Sequence, residues 1–251
     1  MDAYDTPFLV LAIAVLGQWI AVYAGDLLRK TIRPFKEDER ADFDVVLTAA
    51  LTLLGLIIGF SFAMAVTRYD QRKAFEEAEA NAIGTEYVRA DLLPAEHGTK
   101  VRDLLRKYLA QRVAFYLASD DGKVGRINAE TDKLQAELWS AVVHALSPQQ
   151  TAVEALVVSG MNDVLNSQGY TQAAWWNRIP VAAWGLMGLV AISCNLLFGY
   201  GERRGGALTL VLPVIVSISF FLIADIDTPR AGIIRVLPQN LLALSQTIKP
   251  Q

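Results

Sequence analysis

Four stretches of this chain carry no charged residue and are each long enough to cross a bilayer: 6–25, 45–67, 179–201 and 205–224. Crossing hydrocarbon takes roughly 20 apolar residues at a rise of about 1.5 Å each. Backbone N–H and C=O groups cannot stay unpaired in lipid, so each stretch that spans must be a helix. One such run could be a buried core helix of a soluble protein, but four argue for a membrane. The composition agrees. Of 251 residues, 53% are hydrophobic, too many for an ordinary soluble domain, yet 20% are charged, so other segments must meet water. The first stretch reads as an anchor and not a signal peptide, because Asp2 and Asp5 stand where a signal peptide needs positive charge and no A-x-A-type site follows. Trp175, Trp176 and Arg178, just before the third stretch, are the residues expected at a bilayer surface. A net charge of −3 supplies no basic surface for nucleic acid. The single cysteine, Cys194, cannot form an intrachain disulfide.

The expected fold class is therefore all-α: a polytopic membrane protein whose four transmembrane helices, two plus two, flank a helical-bundle extramembrane domain. Residues 1–67 hold the first two spans and a charged linker, 26–44. Residues 68–178 form the water-exposed bundle, 179–224 a transmembrane hairpin, and 225–251 a C-terminal tail. The second span is expected to run on past the lipid. No proline occurs from 45 to 93, and Arg72/Glu76 and Lys73/Glu77 stand one turn apart, so they can pair along a helix. Such a helix would reach on the order of 70 Å, with Pro94 and Gly98 ending it. A second bundle helix is predicted over 100–118 from Val101, Leu104, Leu105, Tyr108 and Leu109, and a third over 128–146 after a turn at Asp120-Asp121-Gly122. Ser147 reads as the N-cap of a fourth, with Pro148 at its first position, ending near 167. Lys and Arg divide almost evenly between the two sides, and the basic-free start tips the count toward a domain outside the cytoplasm.

The motif inventory argues against an enzyme and implies no cofactor. His97 and His144 sit in no metal-ligand spacing, and there is no G-x-S-x-G, P-loop or G-x-G-x-x-G. Gly55 and Gly59 form a G-x-x-x-G, which lets helices approach closely or is simply tolerated in a membrane helix. Ile58, Phe62 and Val66 fall one turn apart, on what we read as a different face from the glycines. If several copies placed that row around an axis, it would gate by dewetting; otherwise it faces lipid. Asp225 and Asp227 close the fourth stretch, with Arg230 beyond them. A carboxylate there is costly unless paired, and Arg68 and Arg72 emerge on the same side after an even number of crossings. The cluster is then either a structural ion pair or a charged ring at a pore mouth.

At these residues a resemblance becomes specific. Leu54-Gly55 through Gly59-Phe60, Arg68-Tyr69-Asp70-Gln71-Arg72, Glu79-Ala80-Asn81-Ala82-Ile83-Gly84-Thr85, Arg89-Ala90-Asp91-Leu92-Leu93-Pro94 and Asp225-Ile226-Asp227-Thr228-Pro229 resemble a bacterial family of bestrophin-like membrane proteins. The family is one of unassigned function, more distantly similar to the bestrophin anion channels. Bestrophins proper are pentameric anion channels with four membrane helices, a cytoplasmic helical domain between the second and third, and a hydrophobic neck on the second. The resemblance thus implies a bacterial inner (plasma) membrane protein whose partners are the lipid bilayer, further copies of itself and small inorganic ions. The acidic calcium clasp of animal bestrophins has no counterpart here. Two readings follow: a homo-oligomeric channel lined by the second span and continued by the helical domain, or a non-conducting scaffold or sensor that binds a partner through that domain. A transporter is disfavoured, since no span is broken around a midplane charge.

Overall fold

The structure is a computed structural model that describes residues 6–31, 37–147, 151–201 and 207–248. Among the described residues there is no strand. Eight α-helices are described: α1 (Pro7–Thr31), α2 (Glu37–Arg89), α3 (Ala95–Leu117), α4 (Asp121–Ala145), α5 (Ala152–Trp176), α6 (Val181–Gly201), α7 (Val211–Asp227) and α8 (Gln239–Thr247). Among the described residues, three helical stretches are long and apolar enough to cross a membrane: Pro7–Thr31, Glu39–Leu92 and Ala152–Gly201, the last joining α5 to α6. The stretch 205–224 becomes a 3-10 turn, Ala207–Leu210, followed by α7, a helix of 17 residues. Within the segment 26–44, α1 runs to Thr31 and α2 starts at Glu37.

The chain divides into two compact units. The first comprises Met1–Arg68 and Arg178–Ile234. Within it α1 packs along α6 and α7. The crossing of α1 and α6 depends on two glycines: a Cβ on Gly25 would strike the carbonyl of Leu196, and one on Gly199 the carbonyl of Val22. A polar cluster ties the three helices. Gln18 donates through Nε2 to Ser217 Oγ at 3.1 Å, and Asn195 donates through Nδ2 to Gln18 Oε1 at 3.1 Å. All three side chains are buried, and hydrogen bonds of this kind between membrane helices contribute about 0.6–2 kcal/mol each.

The second unit comprises Tyr69–Asn177 and Arg235–Gln251. Its core holds Ile83, Leu105, Tyr108, Leu109, Phe115, Leu138, Val142, Val157, Met161 and Val164. Several boundaries differ from expectation for identifiable reasons. The 3-10 turn Ala90–Leu92 ends α2, and α3 starts directly after Pro94. Gly98 lies inside α3, where a Cβ would meet the carbonyl of Ala90. Asp120 starts α4 seven residues early, its Oδ1 accepting from Lys123 N at 2.8 Å. The cap of α5 is Thr151, not Ser147: Thr151 and Glu154 form a reciprocal capping box, and Glu154 also accepts from Ser147 N at 2.8 Å. Pro148 lies outside the described residues. α5 continues to Trp176, and Trp175 is no interfacial residue, because it is buried edge-on against Phe115 and Tyr116 at 5.0 and 5.5 Å. The segment read as a tail contains α8, whose Leu241 is fully buried.

Candidate functional site

In the first unit, α2 crosses 45–67 without a break, and little of it is covered. Leu54, Ser61 and Ala65 are buried; Ile58 and Val66 are half-buried; Phe62 stays 40% exposed. Gly55 and Gly59 are exposed, and a Cβ on either would meet nothing within 4 Å. They therefore pack no helix of their own protomer, a role taken instead by Gly25 and Gly199. The separation of the glycines from the Phe62 row also needs correcting. In a regular helix, residues seven apart fall within about 20° of one another. Gly55 thus underlies Phe62, Gly59 underlies Val66, and the four share one stripe, exposed at Gly55, Gly59 and Phe62 and half-buried at Val66. The far side of the helix exposes Leu53, Leu56, Phe60 and Met64, bulky apolar side chains suited to acyl chains. Two uncovered faces of different chemistry result.

The charges that follow are held by the backbone. Asp225 is 1% exposed and accepts from the N–H groups of Ile233 and Ile234 at 2.7 and 2.8 Å. It folds residues 228–234 back over the end of α7. Gly232 is needed there, since a Cβ would lie 2.5 Å from the Asp225 carbonyl oxygen. Asp227 accepts from Ile179 N at 2.9 Å, and its carboxylate stands 3.8 Å from the Arg68 guanidinium. Arg230 is half-buried on the returning loop. Both carboxylates thus organise backbone where α6 begins and α7 ends, and neither presents an open surface.

In the second unit, the buried face of α2 contains charge where an apolar stripe would be ordinary. Arg72, Glu76, Glu79 and Glu86 are each 2% exposed or less. Arg72 donates through Nε to Ala174 O and through Nη2 to Asn177 O, both at 3.2 Å, which closes the C-terminus of α5. Glu76 accepts from Asn240 Nδ2 at 2.6 Å and Leu241 N at 2.9 Å, which caps α8 at its N-terminus. Glu79 pairs with the equally buried Arg112 and accepts from Thr171 Oγ1 at 3.2 Å and Tyr116 Oη at 3.3 Å. Arg112 also lies over the Phe115 ring, 4.5 Å from its centroid. Burial and the Glu79 charge push the Tyr108 and Tyr116 phenols well above their ordinary value, so both stay neutral, Tyr116 donating to Glu79 and Tyr108 accepting from Gln135 Nε2. Sequence reasoning took Arg72 and Glu76 for a surface pair. The spacing 72, 76, 79, 83, 86 is core periodicity, and that signal was available.

The family model described as the bestrophin-like domain matches residues 18–241. The chain belongs to the bestrophin-like family. Solved structures share the bestrophin fold. A bacterial bestrophin homologue from Klebsiella pneumoniae superposes with a TM-score of 0.61 at 17% identity, over 96% of this chain and 95% of that one. A substituted form of the Klebsiella homologue gives 0.62 at 14% identity over 99% and 96% of the two chains. No curated protein matches the sequence. This bestrophin-like chain is thus a membrane protein, and the buried charges of α2 and the Asp225 and Asp227 carboxylates lie within the family match.

Proposed function

We propose that the chain is the subunit of a homo-oligomeric ion channel of the bacterial inner membrane, gated on α2. The conducted species implied by the family resemblance is a small anion. In this reading α7, with the turn before it, supplies a fourth crossing. The observation that carries the proposal is the stripe on which Gly55, Gly59 and Phe62 lie exposed, with Val66 half-buried at its end. A single protomer has no reason to leave glycines exposed beside a large aromatic ring. In a closed ring of copies the glycines would let neighbouring helices approach, and Phe62, with Ile58 beside it and Val66 a turn on, would form the narrowest, driest segment. Thr48 and Thr52 direct their hydroxyls to Asp44 O and Thr48 O, so neither builds a filter, and size and dewetting remain as the restriction. Arg68 and Arg72, with Asp225, Asp227 and Arg230, act here as structural ties at the membrane edge.

Planar-bilayer recording on the purified protein tests this directly. Phe62→Ala should widen and wet the constriction and raise the current. If current is absent altogether, the scaffold reading takes its place. If Phe62→Ala leaves conductance unchanged while a substitution on α1 or α6 alters it, the axis belongs to another helix.

A further inference from the structure

Of the four charges on the buried face of α2 in the second unit, three are matched by the protein and one is not. Glu86 is fully buried, and neither of its carboxylate oxygens has a hydrogen-bond partner. It points at α5 where that helix has Gly160: a Cβ there would overlap Glu86 Oε2, so the missing side chain makes the room. The charged groups whose fields reach it are Arg89, one turn on along α2, and Asp163, one turn on along α5. Arg89 Nη1 shares the opening left by Gly160, close to Glu86 Oε2 but without bonding it, and donates instead to Leu156 O at 3.4 Å. On α3, Arg102 pairs with Asp91, and Arg106 with Asp103 and the Tyr87 hydroxyl. An ionised carboxylate enclosed in this way is expensive, whereas a protonated one is tolerable.

We propose that Glu86 is a proton-operated catch between α2 and α5, seating Gly160 of α5 on α2 while protonated and releasing that contact when it ionises. Its chemistry fits. Burial pushes the carboxyl up from its ordinary 4.5 to about 8; Arg89 opposes the shift and Asp163 adds to it. Because the folded value is the higher one, the stability that Glu86 contributes is fully present below about pH 4.5 and is lost as pH rises through about 8. The catch does not depend on whether the chain conducts.

The test is thermal unfolding of the full chain in detergent, at one scan rate, from about pH 4.5 to about pH 9. Glu86→Gln keeps the shape and removes the titration. It should match the unsubstituted protein at the acid end and exceed it by at least about 3 °C at the alkaline end. Asp163→Asn should bring the levelling-off of the unsubstituted profile to lower pH, a shift that a purely steric role for Glu86 would not produce. Amide hydrogen exchange near Gly160 should be faster at about pH 9 in the unsubstituted protein than in Glu86→Gln at the same pH. A Glu86→Gln difference that is constant with pH, or an Asp163→Asn profile that levels off where the original does, overturns the proposal.

Discussion

At the scale of single residues, backbone proximity and buried acceptors dominate. Gly25 and Gly199 face rigid carbonyls across the α1–α6 crossing, so an added side chain must push a whole helix. Gly199→Val should cost about 1–3 kcal/mol. In a chain of this size that is a fall of roughly 2–4 °C in Tm per kcal/mol. Gly55→Val, with open space around it in the protomer, should leave the stability of dissociated subunits nearly unchanged. Comparing the two by thermal unfolding separates packing within a subunit from packing between subunits. Asp225→Asn weakens acceptance from Ile233 and Ile234 and should destabilise by about 1–3 kcal/mol. For Arg68 and Asp227, both mostly buried at 14% and 6% side-chain exposure, a double-mutant cycle should return a favourable coupling. Charge reversal at both positions should partly restore what either reversal alone removes.

At the scale of elements, α5 and α8 show what a local pattern can and cannot reveal. Thr151→Ala removes the capping box of α5 and should cost about 1 kcal/mol, while Ser147→Ala, which loses only a hydroxyl contact to Glu154, should cost less. Chemical denaturation of the two variants ranks the caps. The sequence made the apolar helices legible because lipid leaves the backbone no alternative. The continuity of α2 was equally legible, because nothing from 45 to 89 breaks a helix. Less visible was whether a helix-compatible charge faces water or protein. Arg72 and Glu76 sit one turn apart on a face whose spacing is that of a core, and their long-range partners at 174, 177, 240 and 241 are what make burying them tolerable. α8 was missed for a related reason: at 9 residues it has little helix-forming tendency of its own, and it rests on burial of Leu241 and on the Glu76 carboxylate. The uncovered glycine stripe was misread on angle alone. In the proposed channel further copies of the chain would cover it, and their placement leaves no mark in a single chain's pattern.

At the scale of the whole molecule, the proposed channel requires several copies arranged in a closed ring. Native mass spectrometry in several mild detergents should give a closed ring, and monomers throughout would remove the channel reading. Gly59→Leu should prevent that ring from closing while the subunit still folds, read as monomer with an unchanged helical circular-dichroism signal. A different consequence follows from the way α2 is completed. Glu76 finds its donors in Asn240 and Leu241, 164 and 165 positions further along the chain. At about 5–20 residues per second, the ribosome delivers them roughly 10–30 s after Glu76 itself emerges. Throughout that interval the nascent chain holds a carboxylate that the finished interior cannot accept unsatisfied. Assembly of the second unit must therefore trail translation, leaving this stretch open to chaperones and proteases until α8 arrives. Chains arrested before residue 239 should be cleaved readily between Arg72 and Arg89 under limited proteolysis, and chains carried past residue 248 should resist.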